Sequence, residues 1–258
     1  KITSGSTPEI AYAIDKLYKS VLNNGTYLAS SIKVAEAAKI IENTQRDVNI
    51  AFMNELAKIF NAMNIDTNEV IEAASTKWNF IKMKPGLVGG HCISVDPYYL
   101  IQKAQVYGVL PRIMTEARKL NDSMGTYIGN QVIKLMNKKG ITVLNSSILI
   151  LGFTFKENCQ DIRNTKVFDI YQTLSEYTDN IIVYDNHANI NKVRKEYNIN
   201  LYSGNINKFL KKFDSIILAV PHKELIELDI TSFLKNKKNG VIYDVKSVLP
   251  RDIVDGRL

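Results

Sequence analysis

A short glycine-rich segment of this chain holds a cysteine and an aspartate four residues apart. Its glycines are Gly86, Gly89 and Gly90; Cys92 comes two residues later, followed by Asp96. Glycine lets a backbone approach a ligand closely, and a cysteine beside such a loop is placed to act as a nucleophile. An aspartate at this spacing could orient or deprotonate a water molecule near the sulfur. The alternative is that Cys92 packs as a small apolar residue and Asp96 caps the following helix.

A second segment, which begins at Ser31, has a helical period on two faces. Its apolar residues recur every three, four or seven positions and are Val34, Ala38, Ile41, Val48, Phe52, Leu56 and Ile59. Its polar residues recur on another face and are Glu36, Lys39, Asn43 and Arg46. Because Lys39 and Asn43 are four residues apart, their side chains would project together into a cleft. The alternative is a solvated face with ordinary ion pairs, although a helix that is alanine-rich and apolar on more than one side is typical of a central helix.

The elements that would position these residues change in type along the chain. Helices are predicted over 7–23, 27–64 and 111–138, with shorter ones from near Thr67 and behind Pro97. After Ser147, short runs rich in β-branched residues alternate with helices and predict parallel strands at Ile148–Leu151, Ile181–Tyr184, Ser215–Val220 and Val241–Asp244. A doubly wound sheet binds ligands at the carboxyl ends of its strands. Phe155 and Lys156 follow the first strand and Lys246 follows the last, so they are candidates for that edge.

Composition restricts the class of protein. The 258 residues suffice for two small domains, and 45% of them are hydrophobic and 23% charged. Two cysteines, Cys92 and Cys159, favour a reducing cytoplasm over a disulfide scaffold. Neither cysteine has metal-ligand spacing with the three histidines, and no apolar run has the length of a membrane span. The net charge is +7, but the sequence contains no recognisable DNA-binding motif. A basic chain also suits a protein that binds a diphosphate.

Three segments together resemble the UDP-glucose/GDP-mannose dehydrogenase family. They are the pair Lys39 and Asn43, the loop with Cys92 and Asp96, and the stretch from Gly152 to Thr165 that contains Phe-Lys-Glu-Asn and Asp-Ile-Arg-Asn-Thr. Their order and separation fit the family across essentially the whole chain. His91 and Val95 stand where the UDP-glucose branch usually has Ser and Lys. The stretches 42–51 and 89–100 resemble the UDP-N-acetylhexosamine branch (GlcNAc, GalNAc or ManNAc), whose members make uronic acids for capsule, O-antigen or enterobacterial polysaccharides.

The resemblance implies a mechanism for oxidising the C6 alcohol of a nucleotide sugar to a carboxylate. Two hydrides would pass to NAD in succession, and Cys92 would attack the intermediate aldehyde to give a thiohemiacetal and then a thioester that water hydrolyses. Lys39 would stabilise the oxyanion and favour the thiolate. Asn43 and Asp96 would orient the water and assist proton transfer. A UDP-glucose 6-dehydrogenase and a non-catalytic UDP-sugar-binding or dimerisation module are the alternatives.

The resemblance also implies binding residues and partners. Lys156 looks like a UDP ligand and Arg163 like a contact to NAD. Without the resemblance, Lys156 and Lys246 would each be interpreted as an ordinary solvated loop lysine. The implied substrate-binding residues are Arg46, Gly89, Gly90, His91, Phe155, Lys156 and Lys246. Arg46 has no fixed role and would meet either the substrate or the partner subunit. The expected partners are a UDP-sugar and a second copy of the chain, docked through the central helices. No metal, nucleic acid or membrane partner is expected.

The domain organisation follows from the same comparison. We expect an α/β protein with a central all-helical dimerisation domain over 1–110, a connecting helix over 111–138 and a Rossmann-like, doubly wound UDP-binding domain over 139–258. The family's N-terminal NAD-binding domain carries Gly-x-Gly-x-x-Gly, which does not occur here. The stretch from Lys1 to Ser6 resembles the end of that domain. We therefore expect a portion of a longer enzyme that does not bind NAD productively or turn over by itself, and detectable NAD reduction by this chain would contradict that expectation.

Overall fold

A computed structural model describes all residues, 1–258, as a helical part followed by a parallel sheet. The helical part contains α1 Pro8–Lys19, α2 Ile32–Met63, α3 Thr67–Ala74, α4 Asp96–Val106 and α5 Arg112–Lys138, with two short strands, β1 Ile2–Thr3 and β2 Tyr27–Leu28. The second part contains β3 Ile148–Leu151, α6 Val167–Ser175, β4 Ile181–Tyr184, α7 Ile190–Tyr197, β5 Leu201–Tyr202, β6 Ser215–Leu218, α8 Lys223–Ile226, β7 Val241–Asp244 and β8 Gly256–Arg257. The predicted fold class is confirmed.

The sheet has six parallel strands in the order β5-β4-β3-β6-β7-β8. Ile148 at the start of β3 pairs with Ile181 of β4 on one side and with Ser215 of β6 on the other. The chain therefore runs outward from β3 to one edge and then returns to build the other half. The carboxyl ends of β3 and β6 form the switch point at which such sheets hold ligands.

Local sequence explains the inner strands but not the edge strands. The β-branched runs of β3, β4 and β7 have the predicted bounds, and β6 ends at Leu218 rather than at Val220. All four residues of β3 are fully buried because both faces of the sheet are covered. The two-residue strands β5 and β8 were not predicted, because so short a run carries no periodic signal.

The long helix α2 begins later than predicted. Tyr27 and Leu28 pair in parallel with Ile2 and Thr3 as a two-stranded sheet, so the predicted start at Tyr27 was wrong. The hydroxyl of Ser31 accepts a hydrogen bond from the Val34 N–H at 3.3 Å and caps the helix instead. Helix α1 likewise ends at Lys19, four residues before the predicted end.

Helix α2 exposes its apolar face and buries its polar face, which is the reverse of the usual arrangement. Ile41 and Phe52 from its apolar stripe are 58% and 53% exposed, whereas its buried residues are largely small or polar. Those buried residues are Asn43, Thr44, Asp47, Ala51, Met53, Asn54 and Ala57. The alternative of a solvated polar face was wrong for Asn43, because α4 and α5 pack on that side. A fully central helix would be enclosed on every side, whereas α2 is exposed on one face.

Helix α5 belongs to both parts of the molecule. It packs along α2 and also along α6, and its apolar face enters the core of the sheet through Met124, Ile128, Val132 and Met136. Gly125 and Gly129 allow the close approach of α6. The division at residues 110 and 138 therefore stays a prediction. None of the helices is both long enough and apolar enough to cross a bilayer.

Candidate active site

A short hydrogen bond joins the two segments that the sequence singles out for chemistry. The side chain of Asn43, on α2, donates from Nδ2 to Asp96 Oδ2 at 2.6 Å. Asn43 is 2% exposed, and Asp96 is the first residue of α4. Two residues that are 53 positions apart in the chain are thus in direct contact.

Lys39 lies at the open side of this pair. Its ammonium lies 3.5 Å from Asn43 Oδ1 and 3.0 Å from Glu42 Oε2, and its side chain is 59% exposed. Arg46 reaches the same carboxylate of Glu42 at 3.3 Å and makes no hydrogen bond or ion pair with the cysteine loop. The structure therefore brings Lys39 to Asn43 and Asp96 but leaves Arg46 outside the cluster.

Cys92 lies one turn ahead of Asp96. Its carbonyl accepts hydrogen bonds from the N–H groups of Val95 and Asp96, and its thiol is half-buried and free. Helix α4 has no side-chain cap, so the carboxylate of Asp96 does not serve as one. The capping alternative for Asp96 was wrong, because the carboxylate turns toward Asn43 instead.

Asn54 anchors the start of the cysteine loop to α2. Its Nδ2 donates to the carbonyl of Gly86 at 3.0 Å, and its Oδ1 accepts from the Gly86 N–H at 2.8 Å. The second Nδ2 hydrogen goes to Asn121 Oδ1 on α5 at 2.9 Å. Because Asn54 is fully buried, this side chain replaces a missing backbone partner and fixes the loop relative to Asn43 on the same helix.

A buried ionic network lies below this anchor. Asn121 and Arg118 of α5 both donate to Asp47 Oδ1, and Arg118 also donates to Asp122 at 2.6 Å. Burial alone would lower the pKa of Arg118, but the nearby carboxylates of Asp47 and Asp122 raise it. Tyr98 of α4 donates to Asp122 at 2.7 Å. The network ties α2, α4 and α5 together, and therefore holds both sides of the Asn43–Asp96 contact.

The glycines of the cysteine loop pack against the loop that follows β3. A Cβ on Gly89 would lie 2.6 Å from the carbonyl oxygen of Asn164, and one on Gly90 would lie 2.9 Å from the ring of Phe155. Gly90 also has a φ of +86°, which favours glycine. The close approach at Gly89 and Gly90 is thus to protein, and a contact of these glycines with substrate stays a prediction.

The two predicted lysines lie on either side of this junction. Lys156 Nζ lies 5.3 Å from the centre of the Phe155 ring, and Lys246 Nζ lies 3.9 Å from Glu157 Oε1. Lys246 also reaches the backbone of the cysteine loop, since a Cβ on Gly86 would lie 3.1 Å from its ammonium. Both ammonium groups stand at the carboxyl edge of the sheet, where the phosphates of a nucleotide would be bound.

His91 and Arg163 share one carboxylate. Arg163 donates to both oxygens of Asp161, at 2.6 Å to Oδ2 from Nη2, and His91 Nδ1 lies 3.9 Å from the same Oδ2. The hydrogen bonds from Arg163 lower the pKa of Asp161 from 3.8 to about 2. The carbonyl of Arg163 accepts the Gly90 N–H at 3.1 Å, which brings this ion pair beside Cys92.

The described residues do not form a cradle for the pyrophosphate of NAD. Such a cradle needs a glycine-rich turn that leads from a strand directly into a helix N-terminus. Gly152 follows β3, but a Cβ there would lie 2.5 Å from Val220, and α6 begins only at Val167. These residues therefore do not fit NAD by themselves, and a contact of Arg163 with NAD stays a prediction.

Sequence reasoning missed several residues that support the site. Asn54 was not singled out, although it lies eleven positions, or three helical turns, after Asn43 on the same face. His222 and Asp185 were also missed; both are fully buried after strands of the sheet, with His222 Nε2 2.9 Å from Asp185 Oδ2. The only available signal was their position directly after β-branched runs, where polar residues collect in parallel sheets.

Two models of one family match this chain. The model for the central domain of the UDP-glucose/GDP-mannose dehydrogenase family matches residues 33–123, and the model for its UDP binding domain matches residues 149–251. The chain belongs to the UDP-glucose/GDP-mannose dehydrogenase family. The central-domain match of this dehydrogenase family contains Lys39, Asn43, Cys92 and Asp96, and the UDP-binding match begins within β3.

Curated relatives and solved structures match nearly the whole chain. The UDP-N-acetyl-D-glucosamine 6-dehydrogenase of Salmonella typhi is 53% identical over an alignment of 261 positions, which covers 100% of this chain and 60% of that protein. Protein CapL of Staphylococcus aureus is 49% identical over 98% of this chain and 59% of that protein. The solved UDP-N-acetyl-mannosamine dehydrogenase Cap5O from S. aureus superposes with a TM-score of 0.79 at 29% identity, covering 99% of this chain and 58% of that one. The chain thus spans about 60% of the length of the curated relatives it matches.

Proposed function

We propose that the whole protein is an NAD-dependent 6-dehydrogenase that oxidises a UDP-N-acetylhexosamine to its uronic acid for capsule or O-antigen biosynthesis. The observation that carries the proposal is the 2.6 Å hydrogen bond between Asn43 and Asp96, which unites the two chemical motifs. The relatives at 53% and 51% identity, both named UDP-N-acetyl-D-glucosamine 6-dehydrogenase, support the substrate class. We expect the protein in the cytoplasm, where its two cysteines stay reduced.

In this proposal Cys92 forms a covalent bond with the aldehyde stage of the substrate. The thiolate adds to the C6 carbon, a C–S bond forms, and the carbonyl electron pair moves to oxygen, where the ammonium of Lys39 stabilises the charge. Each of the two hydrides lost from C6, one before the C–S bond forms and one after it, would pass to NAD as the oxidant, and the second loss leaves a thioester on Cys92. In the final step a water adds to the acyl carbon, the C–S bond breaks and the thiolate leaves. Asp96, oriented by Asn43, takes the proton of that water.

The nucleotide half of the substrate would lie at the carboxyl edge of the sheet. Lys156 and Lys246 supply the only ammonium groups among the predicted substrate contacts there. Of the two, only Lys246 has a carboxylate within 4 Å, that of Glu157 at 3.9 Å. A diphosphate between them would be neutralised by two cations that are only loosely paired in the free protein. Phe155 offers its ring beside Gly90, and His91 borders the same junction.

We further propose that the protein forms a homodimer through α2 and α5. A groove of about 580 Å³ lies between these helices. It is lined by Val48, Ala51, Phe52, Glu55, Ile113, Glu116, Ala117, Lys119 and Leu120. Phe52 and Ile113 are 53% and 74% exposed, and an apolar patch of this kind is typical of an interface.

Calorimetric titration tests the substrate class directly. We expect this chain to bind UDP, UDP-N-acetylglucosamine or UDP-N-acetylgalactosamine, and we expect Lys156→Ala to weaken binding of each about tenfold, because one charge-assisted contact to phosphate is lost. Lys192→Ala, on exposed α7, is the matched control and should bind normally.

The outcomes separate the candidate functions. Preference for an N-acetyl sugar over UDP-glucose supports the proposed substrate, and equal or better binding of UDP-glucose favours a UDP-glucose 6-dehydrogenase. Binding of UDP-sugars by a full-length protein that does not reduce NAD would indicate a non-catalytic binding module. Absence of any UDP binding, by both this chain and the full-length protein, would contradict the proposal.

A further inference from the structure

A buried histidine lies directly beneath the loop that carries the predicted UDP contacts. His222 follows β6 and is fully buried. Its Nε2 lies 2.9 Å from Asp185 Oδ2, and its Nδ1 accepts a hydrogen bond from the backbone N–H of Asn158 at 3.0 Å. Neither the mechanism nor the predicted binding residues make use of His222. Its contacts lead instead to residues 154–158, which we call the nucleotide loop.

The hydrogen bonds of His222 require one particular tautomer. An Nδ1 that accepts from an N–H carries no hydrogen itself, so the imidazole hydrogen is on Nε2. There it donates to Asp185, whose Oδ2 also accepts from the N–H groups of Phe153 and Thr154. The ring is therefore oriented by Asp185 from one side and presents its lone pair to Asn158 on the other.

The shape of the nucleotide loop depends largely on hydrogen bonds at and beside His222. Asn158 has a φ of +53°, and its side-chain Oδ1 accepts from the Lys223 N–H at 3.0 Å. The Thr154 hydroxyl donates to the carbonyl of Lys156 at 2.9 Å and also lies 3.2 Å from His222 Nε2. Because Lys156 is exposed on a segment without regular secondary structure, these contacts at its base hold it in place.

Besides Asp185, the titratable groups near His222 are His187 and Glu224, and they make no hydrogen bond or ion pair with the loop. The ring of His187 stacks on that of His222 with centres 4.3 Å apart, and His187 Nε2 lies 3.0 Å from Glu224 Oε1. No hydrogen bond or ion pair joins either group to Asn158. Within this cluster, His222 and the adjacent Lys223 backbone are thus the groups that link β6 to the nucleotide loop.

We propose that His222 is a positioning residue for nucleotide binding, which acts through its Nδ1 acceptor on Asn158 and so sets the place of Lys156. The proposal rests on the proposed binding of a UDP group at this loop. A purely structural role would be different: it would use the Nε2 hydrogen to neutralise the buried Asp185. The two roles use opposite nitrogens of the ring, so two substitutions separate them.

His222→Asn and His222→Gln form the matched pair. Asparagine can place its carbonyl oxygen near the position of Nδ1 and accept from Asn158, whereas glutamine can place its amide near Nε2 and donate to Asp185. We expect His222→Asn to bind UDP within about threefold of the unsubstituted chain and His222→Gln to bind about tenfold more weakly in calorimetry. His187→Gln is the control and should bind normally. The reverse order, or equal weakening by both variants, would overturn the proposal.

A measurement without nucleotide keeps this test separate from the test of the proposed function. Cys159 follows the loop, with its Sγ 3.4 Å from the carbonyl of Lys156, so its alkylation rate reports loop opening. In a Cys92→Ser background, Cys159 should react at least about fivefold faster in His222→Gln than in His222→Asn. If UDP does not bind but this difference appears, the proposed function fails, while the action of His222 on the position of the loop is supported. If the alkylation rates are equal, the positioning role is wrong.

The tautomer provides a check on the unsubstituted protein, whose folding is not in question. Nitrogen-15 NMR should give His222 Nδ1 the shift of an acceptor nitrogen and Nε2 that of a protonated one at neutral pH. A protonated Nδ1 would contradict the proposal, because it could not accept from Asn158.

Discussion

At the scale of single residues, Asp185 links the local architecture of the sheet to the behaviour of the protein in acid. It is fully buried after β4 and accepts hydrogen bonds from His222 and from backbone N–H groups that include Phe153 and Ala188. Burial alone would raise its pKa, but these bonds, with that of His222 the largest, lower the pKa of Asp185 from 3.8 to about 2. The carboxylate therefore contributes stability that is present above about pH 4 and is lost as the pH falls through about 2.

We expect Asp185→Asn to remove this acid dependence. From about pH 6 to about pH 2, the free energy of unfolding of the unsubstituted protein should fall by about 2 kcal/mol more than that of the variant. Urea unfolding at the two pH values measures the difference. Asp179→Asn, at an exposed position, is the control and should keep the acid dependence of the unsubstituted protein. Equal losses in Asp185→Asn and the unsubstituted protein would contradict the assignment.

At the scale of elements, the packing of α5 on α6 decides how the helical part meets the sheet. A Cβ on Gly125 would lie 2.5 Å from Asp169 Cβ and 2.8 Å from the carbonyl oxygen of Lys166. A Cβ on Gly129 would meet the side chain of Thr173 at 2.8 Å. Helix propensity alone favours alanine over glycine within a helix by about 1 kcal/mol. The two effects have opposite signs, so the substitution decides which is larger.

We expect Gly125→Ala to destabilise the protein by about 1 to 3 kcal/mol, because the backbone of α6 cannot move away without losing its contacts with α5. Thr126→Ala is the control on the exposed face of α5 and should be neutral or slightly stabilising. Chemical denaturation measures both free energies. A Gly125→Ala variant as stable as Thr126→Ala would mean that the two helices separate easily.

At the scale of the whole molecule, we expect a partner surface to cover the exposed apolar groove between α2 and α5. Burial of the groove would also immobilise the face of α2 that lies opposite to Asn43. Oligomerisation and the active site would then depend on the same helix. In a symmetric dimer the same groove would be used by both copies. The groove is therefore expected to be sensitive to a single charged substitution, which would be introduced twice at such an interface.

We expect Phe52→Glu to convert the proposed dimer to a monomer, because two carboxylates would be buried at an apolar contact. Leu144→Glu, at a residue that is 66% exposed but far from the groove in the chain, should remain dimeric. Light scattering coupled to size-exclusion chromatography distinguishes the two masses. A dimer that persists in Phe52→Glu, or an unsubstituted protein that is monomeric at all concentrations, would rule out this interface.

The fold and the site differ in how far local sequence predicts them. The inner strands and the helix α5 follow from apolar runs and periodicity, which are local properties. The start of α2 could not be predicted, because Tyr27 and Leu28 form a strand only when Ile2 and Thr3 lie alongside. Lys39 with Asn43, and Cys92 with Asp96, could be paired from their spacing. Their catalytic and binding roles stay predictions.

The class of fold and the local pairs of chemical residues follow from the amino-acid sequence alone, because each depends on neighbours within a few turns of the chain. The family resemblance follows from the order and separation of three such segments. Only the tertiary structure decided that Asn43 contacts Asp96, that Asn54 holds Gly86 and that the apolar face of α2 is exposed. It likewise decided that His222 lies beneath Asn158. These contacts join residues between 32 and 64 positions apart, and such contacts depend on how whole elements pack rather than on any local preference of the chain.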